Sequence, residues 1–306
     1  MRVFVTGGSG RIGRHLIAAL IERGDQVLAL ARSAEARQKV EAAGAEALIG
    51  SLDDAEVLAR ACSASEIVFH LAGGVRGKGQ QTPHRLNVEG TQALLAAGPK
   101  RLLFVSSAAV YGDRSNLWVE EDFEPSPNTR YGRSKAEAEA LVRAHGEHTI
   151  VRLAAVYGPG FEMMMEQRIR AGQAWLPGEG RNFMPLVHVD DAVAALLHVQ
   201  EEGGIWHVAG PEQPSLGEFF AHVHRALGKG RPVRFWSTWL PSYLQQSLAR
   251  NNERLQSRIG GRPRFTPDAL KLWTASVRLR TDKLRDSGFQ WRWPLVEGGV
   301  RAAIGS

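Results

Sequence analysis

The chain of 306 residues carries a single cysteine, Cys62, which excludes an internal disulfide and a thiolate cluster for a metal. No stretch approaches the ~20 uninterrupted apolar residues that span a bilayer. Met1-Arg2 leads directly into a β-branched run, without the charged and then apolar segments of a secretory signal. These absences predict a cytoplasmic protein with no membrane association. Repeats and low-complexity tracts are missing too, and no recognisable nucleic-acid module accompanies the net charge of +6. That charge is local, since residues 231–264 hold seven arginines against the single Glu253. With Trp236, Trp239 and Tyr243 interleaved, the segment reads as a lid over a small-molecule substrate rather than a nucleic-acid patch.

With 43% apolar side chains, the chain can bury one large core together with a smaller lobe. At the N-terminus an apolar run, Val3-Phe4-Val5, is followed by glycines at 7, 10 and 13 and then by an amphipathic stretch. This order gives a strand, a tight turn and a helix start. Glycine permits positive φ at the turn and lets backbone N–H groups approach a pyrophosphate, whose charge the helix N-terminus favours. Strand-length apolar runs recur at 26–30, 46–49, 67–71, 102–106 and 149–153, with helical patterns at 35–43, 54–61, 83–97 and 131–145 between them. Strict alternation predicts an α/β fold, a Rossmann-type doubly wound parallel sheet with ligands at the carboxyl ends of its strands.

Beyond residue 156 the alternation fails, and only 205–208 looks like a return to the sheet. The expected organisation is a dinucleotide-binding domain at 1–156, with 188–210 returning to it. Residues 157–187 and 211–306 would form a smaller C-terminal substrate lobe.

Two further patterns carry chemistry. In Tyr131-Gly132-Arg133-Ser134-Lys135 the tyrosine and lysine are four apart, so a helix puts them on one side. A nearby ammonium favours the phenolate, which fits Tyr131 for proton exchange with a substrate oxygen. The run 102–106 ends in Ser106-Ser107, at the sheet edge where a ligand sits. Ser107 is the better candidate to hold the same substrate oxygen.

With these residues in place the chain resembles the short-chain dehydrogenase/reductase superfamily, in its extended branch. The resemblance rests on Thr6 to Gly13, His70-Leu71-Ala72, Asn87-Val88-Glu89-Gly90-Thr91, the Ser107 segment, Tyr131 to Lys135, Arg152 to Gly160 and Val187-His188-Val189-Asp190-Asp191. It implies Tyr131 as general acid/base, Ser107 orienting the substrate carbonyl, Lys135 gripping the nicotinamide ribose, and a largely structural Asn87. It also implies cofactor contacts at Gly7, Gly10, Arg11, Ile12, Gly13, Arg32, Ser51, Leu52, Leu71, Ala72, Gly73 and Val156. Family members often pair through two helices, here 83–97 and 131–145, so a homodimer is expected. By the same pattern His188 and Asp190-Asp191 form a structural turn with an aspartate as helix cap, and no metal site is expected.

The chain departs from the family at Ser51, where a carboxylate toward the adenine is usual. Leu153 and Arg11 replace a common proline and a common aromatic. After the second strand no carboxylate lies between Asp25 and Glu35, so nothing repels a 2′-phosphate, and Arg32 is placed to meet one with Arg11 and Ser33. The cofactor expected is therefore NADP. Residues 178–188 and the C-terminal runs at 262–266, 281–283 and 287–289 resemble the reductases and hydroxysteroid-dehydrogenase-like members. The leading expectation is an NADP(H)-dependent oxidoreductase for a hydrophobic carbonyl or secondary alcohol. Its alternatives are a nucleotide-sugar epimerase or dehydratase with tightly held cofactor, and a non-catalytic cofactor sensor, a class that commonly loses the tyrosine-lysine pair kept here.

Overall fold

A computed structural model describes residues 1–75, 82–115, 117–160, 166–228, 230–236 and 266–305, with 247 and 251. The first strands and helices alternate as β1 (Arg2–Thr6), α1 (Arg11–Glu22), β2 (Gln26–Ala31), α2 (Ala34–Ala42), β3 (Glu46–Ile49), α3 (Ala55–Ala64) and β4 (Ile67–His70). Then come α4 (Gly90–Ala96), β5 (Leu102–Val105), the short β6 (Trp118–Val119), α5 (Arg130–Arg143), β7 (His148–Leu153) and β8 (Ala155–Tyr157). α6 (Glu166–Arg170), β9 (Trp175–Pro177), β10 (Leu186–His188), α7 (Val189–His198), β11 (Gly204–Val208), α8 (Leu216–Leu227), β12 (Arg234–Trp236) and β13 (Arg278–Leu279) follow.

The main sheet has seven strands in the order β11-β7-β5-β4-β1-β2-β3, and every pair is parallel. Helices on both faces explain why the strands are continuous apolar runs, with Val3, Phe4 and Val5 all fully buried. α1 turns Leu16, Ile17 and Leu20 onto that sheet. The order reverses between β1 and β4, and the crevice outside their carboxyl ends is where such sheets take ligands. A second apolar cluster joins Tyr157, Leu176, Leu186, Phe219, Phe220, Val223, Val296 and Val300.

Two expectations change. The helix read at 83–97 is interrupted by a π-helical turn over Arg85–Glu89, because Asn87 bonds outward to other segments and the Thr91 hydroxyl bonds back to the Asn87 carbonyl. No aspartate caps α7: the His188 side chain accepts the Asp190 N–H, while both Asp191 oxygens accept backbone N–H groups of Arg292 and Trp293. Ser33 caps α2 by accepting the Ala36 N–H, so part of its hydrogen-bonding capacity is used inside the fold. Of the expected lid, Trp239, Tyr243 and the arginines at 250–264 lie outside the described residues. Among the described residues no helix is long and apolar enough to cross a membrane, and no cluster of His, Cys, Asp and Glu is built to hold a metal.

Candidate active site

The glycine loop needs its glycines. Gly7 sits at φ +76°, and a Cβ there would lie 2.6 Å from the Ala72 nitrogen. A Cβ on Gly13 would run into the Gly7 carbonyl. The turn closes through Gly10 N–H to Gly7 O at 2.9 Å, and α1 starts with no side-chain cap and no acid in its first turn. Its N-terminal N–H groups are thus left for an anion.

Two cavities meet at this loop, of about 600 and 400 Å³, sharing Gly7, Gly10, Leu71 and Gly73 in their walls. The larger also takes in Arg11, Ile12, Gly13, Val156, Ser107, Tyr131 and Lys135. The smaller takes in Arg32, Ser51, Leu52 and Ala72. The residues expected to hold the cofactor or act on the substrate therefore lie on one of these two surfaces, apart from Ser33 and the lid aromatics. One carboxylate went unnoticed: Asp53 lines the smaller cavity two residues after Ser51, paired with Arg85 at 3.5 Å.

The chemistry-bearing residues stand at the carboxyl end of β5 and the start of α5. Ser107 follows β5 by two residues as the cap of a short 3₁₀ turn, Ala108–Tyr111, accepting the Ala109 N–H at 3.2 Å. Thr129 caps α5 and so fixes where Tyr131 emerges. Tyr131 and Ser107 line the same cavity; burial pushes the phenol up, and Ser107 opposes it. The Lys135 ammonium donates to the Val105 carbonyl at 2.8 Å and lies 4.6 Å from the centre of the Phe104 ring. Burial brings it down to about 8. The expected cation effect on the phenol is thus outweighed: Tyr131 is shifted toward its neutral form, because lost hydration dominates.

Behind these groups lies a layer that the motif reading passed over. His70 is fully buried and held near 3 by burial and then by Lys135, hence neutral. Thr91 spends its proton on the Asn87 carbonyl, so His70 Nε2 donates to Thr91 and Nδ1 accepts from Thr6, the last residue of β1. Asn87 clasps both backbone groups of Gly74 and donates to Ser134. A buried ion pair, Glu139 with Arg152, connects Ser106 to Tyr111 and on to His207. The spacing of Tyr131, Lys135 and Glu139 in steps of four was an available signal, as was an arginine inside the apolar run of β7.

The far wall of the larger cavity is apolar: Leu153, Phe183, Met184, Pro185, Leu272, Ala275 and Val277, with Asn128 and Thr129 as its polar members. Its two strips are stitched together by Asn182, which donates to the carbonyls of Trp273 and Ala275 at 3.1 Å each. Phe183 N–H donates to the Ser276 hydroxyl at 2.8 Å, and Val277 N–H to the Phe183 carbonyl at 3.1 Å.

The sequence model of the NAD dependent epimerase/dehydratase family matches residues 3–210. The chain is 36% identical over 219 residues to the 4-hydroxy-2-methyl-3-oxo-4-farnesyl-3,4-dihydroquinoline-1-oxide ketoreductase of Stigmatella aurantiaca, covering 66% of this chain and 65% of that protein, just under two thirds of its length. It is 30% identical over 296 residues to the 3-diazoavenalumate denitrifying reductase of a Streptomyces species, covering 86% of this chain and 96% of that one. Among solved structures, gox2253 superposes with a TM-score of 0.78 at 26% identity, over 99% of this chain and 96% of the other.

Proposed function

The chain belongs to the NAD-dependent epimerase/dehydratase family, in the extended short-chain dehydrogenase/reductases; from that premise we propose that it is an oxidoreductase that uses NADP(H) to interconvert an apolar carbonyl compound and its secondary alcohol. The observation that carries the reading is that Ser107, Tyr131 and Lys135 line one cavity together with the glycine loop and an apolar wall. Of the two relatives, the ketoreductase agrees by name with carbonyl reduction, and the denitrifying reductase with reduction alone.

The site suits a nicotinamide dinucleotide. The uncapped α1 N-terminus and the loop glycines fit a pyrophosphate, and Gly73 gives room beside the Lys135 ammonium, where a Cβ would lie 3.4 Å from Nζ. When bound, the nicotinamide supplies the hydride donor or acceptor. Ser107 then holds the substrate oxygen, and Tyr131, kept neutral by burial, gives that oxygen its proton in the reducing direction. Lys135 grips the ribose and keeps a positive charge behind the phenol. For the choice of NADP, Arg32 lines the smaller cavity at the end of β2, and the cavity's carboxylate, Asp53, is engaged by Arg85.

The apolar wall argues against a nucleotide sugar, and the retained Tyr131 and Lys135 argue against a pure sensor. Added NADPH, followed by absorbance against a panel of apolar ketones and nucleotide sugars, separates the three. Net oxidation with ketones supports the proposal; recycling on nucleotide sugars alone, or binding alone, refutes it. The proposal includes a homodimer through α4 and α5. Their Ala93, Ala96, Ala136 and Ala140 allow close helix approach, whereas Ala138 is buried in the protomer's own core, and sedimentation showing a monomer at micromolar concentration would count against the dimer.

A further inference from the structure

Glu139 lies one helical turn beyond Lys135 and two beyond Tyr131 on α5, so the three share a face. It is fully buried behind the cavity wall rather than in it. One carboxylate oxygen accepts the Ser106 hydroxyl at 2.5 Å, and the other accepts Arg152 Nη2 at 2.9 Å. Lys135 meanwhile donates to the carbonyl of Val105. Two consecutive residues of one strand end are therefore gripped by two side chains one turn apart on one helix, and the next residue is Ser107. A buried ion pair needs only mutual satisfaction. The bond to Ser106 and the place next to Lys135 go beyond that need.

We propose that Glu139 is a positioning residue for the reaction at Tyr131, acting through Lys135 and through the Val105–Ser106 strand end. The inference rests on the reading of Ser107, Tyr131 and Lys135 given above. The groups around Lys135 are Tyr131 and Glu139 on its own helix, His70 from β4, the neutral Asn87 amide beside Gly73, and Arg152 of β7 behind Glu139. His70 is neutral and Tyr131 is protonated, so Glu139 is what favours the charged lysine, against burial. Without the carboxylate, Lys135 keeps its burial penalty and gains an uncompensated Arg152 charge nearby. Its ammonium is then lost at lower pH.

The test measures the pH dependence of kcat for the wild type, Glu139→Gln and Glu139→Asp at saturating NADPH, beside a ¹³C NMR titration of the lysine side chains in the unliganded proteins. The chain has seven lysines, and the Lys135 signal is the one missing from Lys135→Arg. Glu139→Gln is expected to move both the alkaline limb of kcat and the Lys135 titration down by about one pH unit, with the KM for the ketone unchanged. Glu139→Asp keeps the charge and is expected to restore both. Should Glu139→Gln not fold, the double variant Glu139→Leu/Arg152→Met removes the whole pair and is expected to show the same downward movement. A folded Gln or double variant in which either readout stays at its wild-type position overturns the proposal. If the wild type turns over no carbonyl, it is the reading of the reaction that fails, and the lysine titration alone decides the role of Glu139.

Discussion

Asn87 and Ser134 join two helices at the site: the Asn87 amide donates to the Ser134 hydroxyl at 2.8 Å, between Tyr131 and Lys135 in sequence. The same Asn87 side chain accepts the Gly74 N–H at 2.9 Å and donates to the Gly74 carbonyl at 3.1 Å. One amide thus sets the distance between the cavity wall at 73–75 and α5. Asn87→Leu leaves the buried Ser134 hydroxyl and the half-buried Gly74 backbone groups short of a partner, which costs up to about 1–3 kcal/mol each. Urea denaturation should show a lower midpoint, and cofactor affinity should fall with it. An unchanged midpoint would mean that water replaces the amide.

Tyr131→Phe removes the phenol hydroxyl and keeps the ring that fills the wall. Turnover should drop by about 10²- to 10⁴-fold, the usual worth of a positioned proton donor, with NADPH binding nearly intact. Ser107→Ala takes away the hydroxyl that opposes the upward shift of Tyr131, so the phenol should titrate at still higher pH. Steady-state rates and an ultraviolet titration check the two; wild-type turnover in Tyr131→Phe would remove the tyrosine from the mechanism.

Arg32→Ala should weaken NADPH binding roughly ten- to a hundredfold, the loss of one charge-assisted hydrogen bond of about 1.5–3 kcal/mol. NADH has no 2′-phosphate, and its affinity should hardly move. Calorimetric titration of both cofactors is the measurement. Equal affinity of the wild type for the two would end the argument for NADP.

Lys135 titrates near 8 in the unliganded fold against an ordinary ~10.4. Between these values the unfolded chain binds more protons at this site than the folded one, so its contribution to stability rises with pH across that window. Below about 8 both states are protonated, and the burial cost is constant. The stability advantage of Lys135→Met over the wild type should therefore shrink from pH 8 toward pH 10. Denaturation midpoints of the two proteins across that range test this, and a pH-independent difference would give the lysine its ordinary value.

The sheet and the glycine loop could be read from sequence because both are local. Each strand is a short apolar run, and each loop glycine answers to a steric demand within the loop or against Ala72. The cap at His188 could not be read so, since aspartates beside it are the usual capping residues and only the fold directs Asp191 to Arg292 and Trp293. The π-helical turn at Asn87 likewise depends on partners 13 and 47 residues away. The apolar wall has no periodic signature, because Phe183 and Val277 meet through backbone bonds that join distant segments. Arg152 inside an apolar run and Glu139 in step with Lys135 hint at burial, but only the fold pairs them at 1% exposure or less.

The stitching of residues 182–183 to 273–277 separates two problems that often come together when such sites are redesigned. The strip that would choose the carbonyl compound draws on segments held to one another, while the groups that would handle proton and hydride draw on β5, α5 and the glycine loop. A library confined to Phe183, Met184, Leu272, Ala275 and Val277 varies shape on one side of the cavity and leaves Ser107, Tyr131, Lys135 and Arg32 unaltered. Preference for one substrate over another would then be open to change without altering the groups expected to hold the cofactor.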